Sequence, residues 1–157
     1  MATIVKQNLW DVQADVHIVT GNGMLKENGS KLVMGAGAAY EMRIRYPGID
    51  IAFAEEVIKC RSINHAYGSP RLYGYTWAVY PSGHRLGILQ AKYHYDDGSN
   101  LALIGYSLTK LLQAANIRGM DWTYAMNFPG IGLGGLKEKD VLPLLESIPL
   151  NLIVCKK

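Results

Sequence analysis

Two glycine-rich turns carry the clearest chemistry in this sequence. The first, Met34-Gly35-Ala36-Gly37-Ala38-Ala39, lies between an apolar run at residues 16–19 and a helical pattern that stops before Pro47-Gly48. The second, Pro129-Gly130-Ile131-Gly132-Leu133-Gly134-Gly135-Leu136, follows another apolar strand pattern near the C-terminus. A strand, a glycine turn and a helix together make an anion site. Glycine lets the backbone approach closely, and the first helical turn presents unpaired N–H groups at its positive dipole end. Two such turns, far apart in sequence, predict one diphosphate held from two sides. Neither contains the Gly-Lys-Ser/Thr of a P-loop, and Tyr40 stands where a dinucleotide fingerprint asks for its third glycine. A tight turn without a ligand is the plain alternative for either loop alone.

The remaining reactive side chains exclude more than they assign. Cys60 and Cys155 match no zinc spacing and read as free thiols of a reducing compartment. His65 and His84 fall in loops without partners for a metal, His17 reads as an interior residue and His94 as a surface one. Neither a metal nor a cofactor is expected. The aromatic run Tyr73, Tyr75, Trp77 and Tyr80 reads as core packing, whereas the segment around Trp122 and Tyr124 could bring a ring near a bound base.

The elements that must position the turns follow from periodicity. Residues 2–5 and 16–20 read as strands, the second apolar enough to be covered on both faces. A helix is predicted at 38–46, its apolar Ala39, Met42 and Ile44 alternating with Glu41, Arg43 and Arg45, and ended by Pro47. Another is predicted at 51–60, with Ile51, Phe53, Ala54, Val57 and Ile58 at helical spacing. Residues 61–70 read as a loop. Residues 72–80 and 85–91 form a hairpin about Pro81-Ser82-Gly83. A turn at 96–99 caps the strongest helix, which buries Leu101, Ile104, Leu108, Leu111, Leu112 and Ala115 and stops at Gly119. A strand at 121–127, a short helix at 140–148 with Pro143 in its first turn, and a strand at 150–155 complete the order. Strands alternating with helices predict an α/β, three-layer α-β-α fold with a mixed, mostly parallel central sheet.

Composition bounds the rest. The chain has 157 residues, 49% hydrophobic, with a net charge of +3. That length suits one domain, residues 1–157, with a sizeable core. Lysines and arginines are scattered, so no nucleic-acid signature arises. No secretion signal and no run of about 18 apolar residues is present, which predicts a soluble, cytoplasmic protein without a membrane partner. The expected state is a monomer.

At this point the residues resemble a macro domain, the family that binds ADP-ribose. Met34-Gly35-Ala36-Gly37-Ala38-Ala39 is similar to a Met-Gly-x-Gly-Ile/Ala-Ala pattern at the end of the first loop in one branch of that family. The helix running to Tyr46-Pro47-Gly48, the strand at 16–20 and the segment from Phe128 to Leu136 match as well, so the resemblance covers about residues 2–155. It implies ADP-ribose, free or as the end of a modified molecule, as the partner. Thr20, Gly35, Ala36, Gly37 and Ala38 would face the diphosphate and distal ribose, and Gly130, Ile131, Gly132, Leu133 and Gly134 would close over the other side. Asp11 would accept a hydrogen bond from the adenine amino group, unless it merely caps a turn. Asn22 would lie near the distal ribose.

The segment at 88–94 resembles the one that carries a functional lysine in some de-ADP-ribosylating hydrolases, and Lys92 is the matching residue. There the lysine attacks or stabilises C1″ of the distal ribose, while an acid in the second loop assists. Catalysis is thus expected from Lys92 and Asn22, at a linkage to the distal ribose. Here the second loop is shorter and holds Gly134 and Gly135 where that acid is expected. The first loop also carries an added segment, residues 26–31. Glu138, Asp140 and His94 are the substitutes the sequence offers. The alternatives are a non-catalytic ADP-ribose or NAD-derived nucleotide binding module, an ADP-ribose 1″-phosphate phosphatase, and a Lys92 that is only a solvated residue at a strand end.

Overall fold

The computed structural model describes residues 2–26, 29–59 and 70–156. Cys60 and the predicted loop at 61–69 lie outside them. Six strands, β1 (Ala2–Val5), β2 (Val16–Gly21), β3 (Tyr75–Val79), β4 (Arg85–Gln90), β5 (Thr123–Asn127) and β6 (Asn151–Cys155), form one sheet in the order β1-β6-β5-β2-β4-β3. All neighbours are parallel except β3, which pairs antiparallel with β4 through the predicted hairpin.

Helices α1 (Gly37–Arg45) and α2 (Ile49–Lys59) cover one face of the sheet, and α3 (Leu101–Ile117) and α4 (Glu138–Glu146) cover the other. Strand β2 shows why the fold has three layers. Val16 and Ile18 pack into the α3/α4 core, while Val19 packs into the α1/α2 core. A strand apolar on both faces requires a helical layer on each.

Several expectations shift when packing is seen. Ile44, Ile51, Ile58 and Leu101 are exposed, and the buried stripe of α2 is Ile49, Phe53, Ala54 and Val57. The α3 N-cap is Asn100, whose Oδ1 accepts from Leu103 N at 3.0 Å, and not a residue of the turn at 96–99. Helix α4 starts at Glu138, two residues early, so Pro143 sits beyond its first turn. Pro143 is exposed there and the helix continues past it, Ser147 N donating to Pro143 O at 3.1 Å. Among the described residues, no helix is long and apolar enough to cross a membrane.

Gly87 lies in the centre of β4, where packing leaves no room for a side chain. A Cβ there would stand 2.8 Å from Tyr75 Oη and 3.1 Å from Ile18 Cγ1. We expect Gly87→Ala to destabilise the protein by about 1–3 kcal/mol, read from urea unfolding. An unchanged midpoint would show that Tyr75 can move aside at no cost.

Candidate functional site

The site begins with connectivity. From β2 the chain leaves through α1 and α2 towards the β3/β4 side of the sheet, while from β5 it leaves through α4 towards β6. Strands β2 and β5 are adjacent and parallel, so their C-terminal ends part into a crevice at a topological switch point. At its foot Asn127 Oδ1 accepts from Thr20 N at 3.0 Å, and Asn127 Nδ2 donates to Thr20 Oγ1 at 2.9 Å. Both glycine turns leave from this crevice and wall a cleft of about 850 Å³.

The first wall is the start of α1. Its N-cap, Ala36, is extended and makes no side-chain cap, so the amides of the first turn are left to whatever occupies the cleft. Gly37 requires glycine because its φ is +58°. Gly35 differs: its φ is ordinary, and a Cβ built there meets no protein atom within 4 Å. Among the described residues no packing contact requires a glycine at 35, which is exposed and lines the cleft. Behind the turn, Met34 is buried, and its carbonyl accepts from Arg43 Nε at 3.0 Å.

The second wall is the turn after Phe128. Gly130 and Gly132 have φ of +79° and +66°. Leu136 N closes the turn on Gly130 O at 2.8 Å, and Ser99 N donates to Gly134 O at 2.8 Å. Gly134 lies so close to Ser99 that a Cβ would meet Ser99 Cβ at 3.0 Å. The turn is therefore docked onto the segment that follows Lys92.

Lys92 lies just past the end of β4, where three segments lock together around Gln90. The fully buried Gln90 accepts at Oε1 from Tyr73 N and Gly74 N, both at 3.0 Å, and donates from Nε2 to Arg71 O at 2.8 Å. On one side of Lys92, Ala91 N donates to Gly21 O at 2.9 Å; on the other, Gly23 N donates to Tyr93 O at 2.8 Å. Asn22 completes the lock. Its Nδ2 donates to Val33 O at 3.1 Å and its Oδ1 accepts from Met24 N at 2.9 Å, while Tyr73 Oη donates to its carbonyl. Leu25 and Leu32, which flank the added segment, pair with each other in an isolated antiparallel bridge.

No protein-family model matches the chain, and no curated protein matches it in sequence. Solved structures do match. The macrodomain of Mycobacterium tuberculosis DarG superposes with a TM-score of 0.77 at 20% identity, over 100% of this chain and 98% of that one. The macrodomain of Thermus aquaticus DarG superposes at 0.70 with 18% identity over the same shares. Thermosipho africanus DarTG in complex with ADP-ribose superposes at 0.77 with 17% identity, over 99% of this chain and 41% of that one. The fold is that of a macrodomain.

Within this macrodomain cleft the structure assembles most of the residues singled out from the sequence. Thr20, Asn22, Lys92, residues 35–38 and residues 130–134 all line it. Asp11 does not. It ends a 3₁₀ turn (Leu9–Asp11), is exposed, and leaves Gln7, Asn8 and Leu9 to form that end of the cleft. Trp122 and Tyr124 also lie elsewhere: Trp122 packs on Trp77 beneath Arg85, and Tyr124 Oη donates to Gly119 O. His94 is outside the lining too, its Nδ1 accepting from Asp96 N at 3.0 Å. Glu138 is paired with Lys156 at 3.0 Å, and Asp140 is exposed; neither lines the cleft.

The sequence reading missed Asn127, Tyr95, Asp96, Glu41 and Lys156, all of which line the cleft. Asn127 was the one with a signal, since an asparagine ending the strand before a glycine turn sits at the crevice by topology. Cys155 also lines the cleft as a free thiol, and burial pushes its pKa up.

Replacing Gln90 by Leu removes the acceptor of two buried N–H groups. We expect Gln90→Leu to cost about 2–4 kcal/mol in chemical denaturation, since each orphaned buried donor costs about 1–3 kcal/mol. A loss within error would mean that the segment at 71–74 re-forms its bonds elsewhere.

Proposed function

We propose that this cleft binds ADP-ribose and that the protein hydrolyses a bond from C1″ of its distal ribose to an attached group. The observation that carries the reading is Gly35: a glycine whose backbone and neighbours would tolerate a side chain, beside the uncapped amides of α1. A pyrophosphate lying across the crevice would accept from those amides on one side and from the turn at 130–134 on the other. Adenine would lie towards Asn8 and Leu9, and the distal ribose towards Lys92, at the opposite end of the sheet edge. The ADP-ribose in the complex of the Thermosipho africanus protein, which has the same fold, supports this ligand.

For turnover, Lys92 is the cleft cation nearest the distal end, held by backbone bonds on both sides. Its ammonium would stabilise charge developing at C1″ or on the departing group, or its amine would attack that carbon. Water completes hydrolysis by adding its oxygen to C1″, and the departing group keeps the bonding pair and takes up a proton. Asn22, with its amide spent on Val33 and Met24, would act by positioning and not by touching substrate. The second reading, a binding module without turnover, is favoured by Gly134 and Gly135, which put no carboxylate in the second turn.

Titration calorimetry and a release assay on ADP-ribosylated protein or nucleic acid decide between them. Gly35→Val should fold with an unchanged Tm yet bind ADP-ribose at least about tenfold more weakly, about 1.4 kcal/mol. Equal affinity would remove the first turn from the site. Lys92→Ala should lose turnover while keeping ADP-ribose affinity within about threefold, about 0.7 kcal/mol. If the native protein binds ADP-ribose but releases none from any such substrate, the module reading stands.

A further inference from the structure

The C-terminal edge of the sheet carries a cation that the ADP-ribose reading does not use. The cleft extends beyond β5 to the end of β6, where Lys156 lines it beside Cys155, Gln7 and Asn8. Lys92 lies just past the end of β4, so the two lysines mark opposite ends of the cleft. Three strand spacings of about 4.8 Å separate β6 from β4, roughly 14 Å, with the crevice between. A diphosphate over the crevice would leave Lys92 with the distal ribose and Lys156 with the adenosine half.

The placement of Lys156 is defined. Its backbone N donates to Val5 O at 2.9 Å, and its ammonium bonds Glu138 Oε2 at 3.0 Å. The Lys156 side chain is the more covered of the pair, 27% exposed against 48% for Glu138. Glu138 is the first residue of α4 and stands outside the cleft lining, whereas Lys156 lines it. An ammonium has three donors, and the bond to Glu138 uses one of them, so others remain for a ligand. ADP-ribose itself offers only hydroxyls and a base at its adenosine end, neither of which calls for a cation. A phosphate on the adenosine ribose would, much as a basic side chain near the ribose distinguishes NADP from NAD in other folds.

We propose that the outer end of the cleft is a phosphate subsite. Lys156 selects ADP-ribose bearing a 2′-phosphate on its adenosine ribose, the form derived from NADP-type dinucleotides. This rests on the ADP-ribose reading above and narrows its ligand. Glu138 tempers the preference, because it neutralises Lys156 and repels an incoming phosphate.

The two partners therefore make opposite predictions, which separates a subsite from a structural ion pair. Calorimetry at low salt would compare ADP-ribose with ADP-ribose 2′-phosphate on the native protein, Lys156→Met and Glu138→Gln, with Tm recorded for each. The native protein should bind the 2′-phosphate about tenfold more tightly, the size of a charge-assisted hydrogen bond. Lys156→Met should abolish that ratio, and Glu138→Gln should raise it. A pair that only anchors α4 would shift the ratio equally, or not at all, in both variants, since each breaks the same bridge. That result, or a native protein that binds ADP-ribose but gains nothing from the extra phosphate, overturns the subsite alone. Binding of neither compound overturns the ADP-ribose reading as well.

Discussion

The site depends on a constraint of connectivity: two neighbouring parallel strands whose chains leave in opposite directions. Because β2 continues towards β4 and β5 continues towards β6, no connection crosses the space above their ends. The gap is made by topology before any side chain is chosen. Asn127 and Thr20 hold its foot shut by two hydrogen bonds, so the strands part there and nowhere lower. Everything else about the cleft is placement relative to that point. One glycine turn leads from each strand, Lys92 sits one strand to one side, and Lys156 sits one strand to the other.

The glycines around this gap serve separate purposes, and separating them shows which are concerned with a ligand. Gly23 is glycine because a Cβ would stand 2.6 Å from Gln90 Nε2, and Gly130 because one would meet Leu136 Cδ1 at 2.8 Å. Both are packing requirements inside the protein, and Gly130 with its φ of +79° is a conformational one as well. Gly37 and Gly132 have open surroundings but positive φ, so they are conformational requirements. Gly35 has neither. A glycine without an internal cause, beside unpaired amides, is what a backbone shaped for close approach to an anion looks like.

Much of this was legible in the sequence because it rests on local patterns. Strand β2 announces itself by consecutive apolar residues, and both turns by glycine spacing, so the three layers and the two walls follow from short-range signals. What was not legible depends on contacts between distant segments. Ile44, Ile51 and Ile58 look core-facing by spacing, yet the faces that α1 and α2 bury are set by where Met42, Ile49 and Phe53 meet the sheet. Asp11 matched a family position, but the 3₁₀ turn directs Asn8 and Leu9 towards the cleft and leaves the carboxylate in water. Gln90 gave no signal at all, because a buried glutamine is defined by the backbone groups it bonds, and those lie 16 to 19 residues away.

The charges of the cleft add a last step. Among the described residues that line it, the cations are Lys92 and Lys156 and the anions are Glu41 and Asp96. Their formal sum is zero, although a diphosphate brings about two negative charges. Side-chain charge would therefore not attract such a ligand; the oriented amides of α1 and of the second turn would do so, at short range and in fixed directions. Under that proposal the site would recognise the shape and position of a pyrophosphate more than its charge, with one lysine at each end. That division would account for a formally neutral cleft with its two cations kept apart.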